Sequence, residues 1–282
     1  MAKRKTPQRR LKLRLARVLE PQVEACSKAA VILARTHESA DALLKAFELA
    51  QEGRGTPRGM STDEEQDLLR AMLVMAAAGL DSMLKQLIRD AMPGLVRAST
   101  PVREGLEKFV ARSIRGDAES PEPLSASKFL GRILAAESQQ KQVIEEYIRD
   151  LTGSSLQSAA ELAKTAAALG LSRTKVDVPR LKEIFDIRNK IIHELDINLD
   201  SVGRKRNVRG RESMMKHTNA LLEIGENMLQ EVDEQLWNTG PRDPLRGRGQ
   251  FQRRVVEKRP IPDASASTAI SRTGPRPEPG AP

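Results

Sequence analysis

The chain of 282 residues reads as an all-α protein, a bundle of about six to seven helices with disordered basic tails, and three observations carry that reading. Apolar residues recur at spacings of three and four along most of the body, which is the period of a helix and not of a strand. No segment alternates as a half-buried strand would, and no glycine loop fit to cradle a phosphate occurs, which argues against the nucleotide-binding α/β folds. Caps and breakers fall between the periodic stretches.

Taken in order, Val23, Cys26, Ala30, Leu33, His37, Ala40, Leu44 and Phe47 make one helical face over residues 21–52. His37 lies within that apolar stripe and reads as a satisfied core histidine. Ser61 and Thr62 offer caps to a second helix, and its segment 69–88 is apolar on nearly every face, which puts it at the centre of the core. Pro93 and Gly94 predict its end. A shorter helix follows over 101–115, then a linker over 116–123. Helices are expected at 125–151 and 154–169, the second closed by Gly170 in a left-handed cap. Pro179 suits the first turn of a helix reaching 198. The last helix covers 212–237, with Met215, Leu222, Leu229, Val232 and Leu236 near one face.

Composition narrows the class. With Cys26 as the single cysteine there is no intrachain disulfide and no Cys-built zinc site, so a cytoplasmic protein is expected. The longest apolar stretch, 71–80, is bounded by charges and too short to span a bilayer, so no membrane partner is expected. One Trp, one Tyr and five Phe leave little material for the aromatic platforms on which many single-strand binders stack bases.

The formal net charge of +9 is unevenly placed. The first 17 residues hold eight basic and no acidic side chains, residues 239–282 carry a net +5, and the body between them is −4. The chain therefore divides into a basic arm (1–19), a helical domain (20–238) and a Pro- and Arg-rich tail (239–282) read as disordered. Leu11, Leu15, Val18 and Leu19 give the arm a helical stripe, so it reads as a targeting segment or as an arm that folds on its partner. Within the body, Arg204, Lys205, Arg206, Arg209, Arg211 and Lys216 are opposed only by Glu212. This cluster and the tails are the candidate RNA contacts, the other reading being a solvated surface. His217 adjoins the cluster and reads as helix surface or as an RNA contact.

The chemistry concentrates in the helix after Pro179. At about 100° per residue, Leu181, Ile184, Phe185, Ile191, Ile192 and Leu195 share one face with Arg188 at its centre. A buried guanidinium there needs a carboxylate, backbone carbonyls or a bound anion, because an unpaired ion costs several kcal/mol. His193 lies about 140° away, near Asn189, Asp186 and Asp196. Arg and His on different faces predict a site at a seam, completed by another helix. Asp81, among Val74, Ala77, Leu84 and Ile88, is either the buried partner of Arg188 or a helix edge.

The string Arg188-Asn189-Lys190-Ile191-Ile192-His193, late in a helical body, resembles the signature of the HEPN superfamily (higher eukaryotes and prokaryotes nucleotide-binding). Residues 181–196 look like bacterial HEPN proteins of toxin and antiphage systems, of the RiboL-PSP-HEPN type. The helix 68–91 is similar to the long early helix of that fold. The resemblance covers about residues 38–237 and leaves both tails out.

It implies a HEPN-like bundle and a homodimeric, metal-independent endoribonuclease with two Arg-His motifs facing each other, in antiphage defence or a toxin-antitoxin system with an antitoxin or defence-system partner protein. Arg188, Asn189 and His193 would be catalytic, with Asp81, Asp186 and Glu194 supporting. An imidazole suits acid and base roles near neutral pH, and a guanidinium pairs with two phosphate oxygens at once. No cofactor is expected. No metal site is expected either: His193-Glu194 lacks the second His of a zincin, and Asp196 with Asp200 reads as solvated. Two other readings stay open, a HEPN-like module that binds RNA or protein without cutting, and a basic-tailed nucleic-acid coating protein whose body only dimerises.

Overall fold

The computed structural model describes residues 12–14, 20–54, 60–115, 126–136, 138–171, 177–201 and 203–239. Among them the chain is all-helical, in the order α1 (Glu24–Gly53), α2 (Asp63–Ala98), α3 (Thr100–Arg115), α4 (Ala126–Ala135), α5 (Gln139–Thr152), α6 (Ala159–Ala168), α7 (Val178–Glu194) and α8 (Arg211–Thr239). Extended pairing among these residues is limited to one isolated antiparallel bridge, Ile197 with Arg206. The described residues belong to one compact unit within 1–241. Nearly all of the expected tail lies outside the described residues. Of the expected arm only 12–14 are described: Leu13 is buried against the core, and the Arg14 N–H donates to Asn219 Oδ1 at 2.8 Å.

The core is built by α1, α2 and α8. The stripe Cys26, Ala29, Ala30, Leu33, Ala40, Leu44 and Phe47 of α1 is buried against α2, whose buried residues run from Leu69 to Val96 around most of its circumference. Thr62 starts α2 with a capping box, donating its own N–H to Glu65 and accepting the Glu65 N–H on its side chain. Gly79 lets α1 and α2 touch, since a Cβ there would lie 2.0 Å from Thr36 Oγ1. Gly225 does the same for α8, where a Cβ would meet Met83 Cε at 3.0 Å and Leu33 Cδ1 at 3.1 Å.

Three expected boundaries are corrected. First, α2 does not stop at Pro93 and Gly94 but runs through them to Ala98. A proline inside a helix costs about 3 kcal/mol, and here the complete burial of Ala91, Met92 and Leu95 offsets it.

Second, the expected helix 125–151 is two helices, α4 and α5, with Ser138 accepting the Lys141 N–H at the start of α5. Phe129 of α4 and Tyr147 of α5 both pack on the Phe109 ring, with centroids at 5.9 and 5.1 Å. On one straight helix those two side chains would stand about 27 Å apart, so the break is what lets both reach α3.

Third, α7 ends at Glu194 and not at 198, because Leu195 turns left-handed at φ 50°. Pro179 does occupy its first turn, and Gly170 is left-handed at φ 71° behind α6.

One composition expectation also changes. By length and hydropathy α2 is apolar enough to cross a membrane, with an 18-residue window of mean hydropathy 1.4, and half of that window is buried inside the bundle.

Candidate functional site

The helix α7 divides into two halves. Asp177 accepts the Arg180 N–H and starts it, and Leu181, Ile184 and Phe185 anchor its first turns in the core. Beyond Phe185 the expected apolar face is only partly covered by the described residues: Ile191 is half-buried against the core, Ile192 is 38% exposed and Leu195 is 65% exposed. Arg188 sits where cover runs out.

The Arg188 guanidinium donates from Nη1 to Asn189 Oδ1 at 2.9 Å, while its Nε is buried with no hydrogen-bond partner among the described residues. Burial pushes its pKa below the ordinary arginine value, and the charge of Asp81 acts in the opposite direction. Asp81 is near enough to be felt, yet its direct bonds go elsewhere. Its Oδ1 accepts the Leu156 N–H at 2.7 Å and its Oδ2 pairs with Lys85 at 3.1 Å. A half-buried guanidinium with unused N–H donors can donate to an anion.

His193 is exposed in the last turn, as is Glu194. Asp186 lines an open groove of about 430 Å³ along the same face of α7, together with Lys182, Glu183, Ile187, Lys190 and Arg209. Among the described residues no group of three or more His, Cys, Asp or Glu side chains is placed to hold a metal.

The basic cluster is not one uniform surface. Arg204 and Lys205 are exposed, and Lys216 is exposed beside Glu212 at 3.2 Å. The other three are engaged within the chain. Arg206 donates to Asp67 Oδ2 at 3.0 Å and to Leu195 O at 3.1 Å. Arg211 pairs with Glu48, and Arg209 grips Asp196 through Nε and Nη2.

Asp196 overturns its reading as a solvated carboxylate, for it is fully buried. Besides Arg209, it accepts from Arg70 Nε at 2.9 Å and Asn207 Nδ2 at 3.1 Å. Arg70, itself only 2% exposed, also donates to Asp67 and to Asn207 O. Burial alone would raise the Asp196 carboxyl; the hydrogen bonds from Arg209, Arg70 and Asn207 outweigh it and hold the group below the ordinary carboxylate range. Leu195 and Asp196 are both left-handed, at φ 50° and 59°, which costs a non-glycine residue about 1–2 kcal/mol.

Sequence reasoning missed Arg70 and Asn207. The signal for Arg70 was present: it is an arginine set among Leu68, Leu69, Ala71, Met72 and Leu73, the same argument that singled out Arg188.

The other two histidines also differ from expectation. His217 is buried, not on the helix surface, and its Nε2 lies 3.1 Å from Ser213 Oγ. Burial pushes its imidazole below the ordinary range, against the raising influence of Glu183. His37 is not satisfied, because its Nε2 is buried without a hydrogen-bond partner among the described residues.

No protein-family model, no curated protein and no solved structure gives a significant match to this chain.

Proposed function

We propose that this protein is a HEPN-type endoribonuclease that works as a homodimer, with Arg188, Asn189 and His193 as its catalytic residues. The observation that carries the reading is the state of α7 around the Arg188-Asn189-x-x-x-His193 string. Arg188 has a buried, unused Nε, and the apolar residues beside it, Ile192 and Leu195, are left open. A site so unfinished in one chain is completed by a second copy across a two-fold axis beside α7, which repeats each contact twice.

In the reaction, His193 of one protomer takes the proton from a ribose 2′-hydroxyl as the 2′-oxygen bonds to phosphorus. The Arg188 guanidinium pairs with the non-bridging oxygens as their charge grows, and Asn189 orients it. The bond from phosphorus to the 5′-oxygen breaks, and a second imidazole gives that oxygen a proton. The products are a 2′,3′-cyclic phosphate and a 5′-hydroxyl end. Arg204, Lys205, Lys216 and the basic arm supply phosphate contacts. The setting is the cytoplasm, in antiphage defence or with an antitoxin.

The test uses purified full-length protein and RNA in EDTA with end-group analysis. His193→Ala is expected to slow cleavage by about 10² to 10⁴ with helix content unchanged. Undiminished cleavage by the variant sinks the assignment. Binding without cleavage by the wild type selects the non-catalytic binding module instead. Mixing Arg188→Ala with His193→Ala chains regains part of the activity only if the site is shared.

A further inference from the structure

His193 lies in the last turn of α7, a place where helices fray unless something holds them. Its ring is exposed and has no hydrogen-bond or ion-pair partner among the described residues, and Ile192, Glu194 and Leu195 beside it are exposed as well. Among the described residues only Ile191 of this turn packs against the core, and the backbone beyond it supplies the rest of the hold. The N–H groups of Leu195 and Asp196 both donate to Lys190 O, the second at 2.9 Å. In that closure two consecutive residues are left-handed, and neither is glycine.

The pair is kept in place from outside the helix. Asp196 is seated on Arg70 of the central helix α2, and Arg209 and Asn207 close it from the other side. The Asn207 N–H and Nδ2 also reach Asp196 O, at 2.8 and 2.9 Å. Every acceptor of Asp196 is thus used: Oδ2 by Arg70 of α2 and by Arg209, Oδ1 by Arg209 and Asn207, and the backbone O by Asn207.

We propose that the buried Asp196 cluster is the positioning device for His193, and that Arg209 acts on the reaction through Asp196 and not as a phosphate contact. The catalytic part of this inference rests on the ribonuclease reading; the structural part, an anchored last turn, does not. A misplacement of about 1 Å in a reacting group can slow an enzyme by about 10², so loosening the turn costs rate while leaving the binding surface as it was.

The experiment compares full-length wild type, Arg209→Ala and Arg209→Lys by cleavage kinetics and by amide hydrogen exchange. Arg209→Ala is expected to lower kcat by about 10- to 100-fold at unchanged KM and salt dependence. Its amides at 190–196 should exchange at least about tenfold faster, while those of α1 and α2 keep their protection. Arg209→Lys, which retains the charge and a donor, should recover part of both losses.

A phosphate contact would behave differently, raising KM and reducing the salt slope by about one; that result overturns the proposal. So does unchanged exchange at 190–196, or faster exchange with kcat intact. Should Arg209→Ala fail to fold, Asn207→Ala is read by the same two measurements and the same outcomes. If the wild type cuts no RNA, the ribonuclease reading fails by itself, and exchange at 190–196 still decides whether the cluster anchors the turn.

Discussion

Where α1, α2 and α8 cross, Gly79 lies against Thr36, Gly225 lies against Met83 and Leu33, and the contacts are almost wholly apolar. At the end of α7 the chain is held instead by Asp196, Arg70, Arg209, Asp67 and Arg206, charged groups arranged around one buried carboxylate. Apolar packing is non-directional and scales with the area removed from water, so the crossing sets how close the helices come. Charged hydrogen bonds have direction and few acceptable geometries, so the cluster sets where a particular turn points. The first region makes the bundle stable. The second places the end of a helix whose outer residues His193, Glu194 and Leu195 are exposed.

The widest gap between the two regions should open with Arg70→Met. Removing one partner of a buried ion pair costs about 3–5 kcal/mol, and the lower end is expected because Arg209 still meets Asp196. Urea unfolding at neutral pH measures it. The Asp196 carboxyl is held below its ordinary value in the folded state. Its contribution is therefore fully present above the unfolded value, about 3.9, and is lost as the pH falls through the folded one. The deficit of Arg70→Met relative to wild type should shrink over that acid window. A constant deficit from pH 7 downward would mean that the pair contributes through packing alone.

A smaller, pH-independent effect is expected at the crossing. In Gly79→Ala the new methyl would sit 2.0 Å from Thr36 Oγ1, and overpacking of this kind costs about 1–3 kcal/mol. Helix propensity alone would gain about 1 kcal/mol, so the sign of the change decides which term governs the site. Thermal melts at two pH values should show a net loss of the same size at both.

The smallest expected change sharpens the comparison from the other side. Leu195→Gly removes an exposed side chain and relieves a left-handed residue at about 1–2 kcal/mol, while glycine's freedom in the unfolded chain takes back about 0.5–1 kcal/mol. A net gain of about 0.5 kcal/mol in stability is expected. A loss larger than 1 kcal/mol by the same melts would show that the Leu195 side chain is covered, as a dimer across α7 would cover it.

What the amino-acid sequence determined by itself is whatever short-range chemistry controls: the all-helical class, the starts at Thr62 and Pro179, the left-handed stop at Gly170, and the placement of Arg188 on an apolar face. A cap or a breaker acts on backbone groups within a turn of itself, so a short window contains the whole cause. The string Arg188-Asn189 and His193 was legible in the same way, as a spacing. Tertiary structure alone decided the rest. It carried α2 through Pro93 by burying the residues beyond it. It also split the predicted helix 125–151 so that Phe129 and Tyr147 could share Phe109. And it tied three of six cluster arginines and lysines to carboxylates of the chain, Asp67, Asp196 and Glu48. The partner that makes Asp196 a buried structural carboxylate, Arg70, stands 126 positions away along the chain. The free energy of a charge depends on what surrounds it in space, and no local pattern of residues records that.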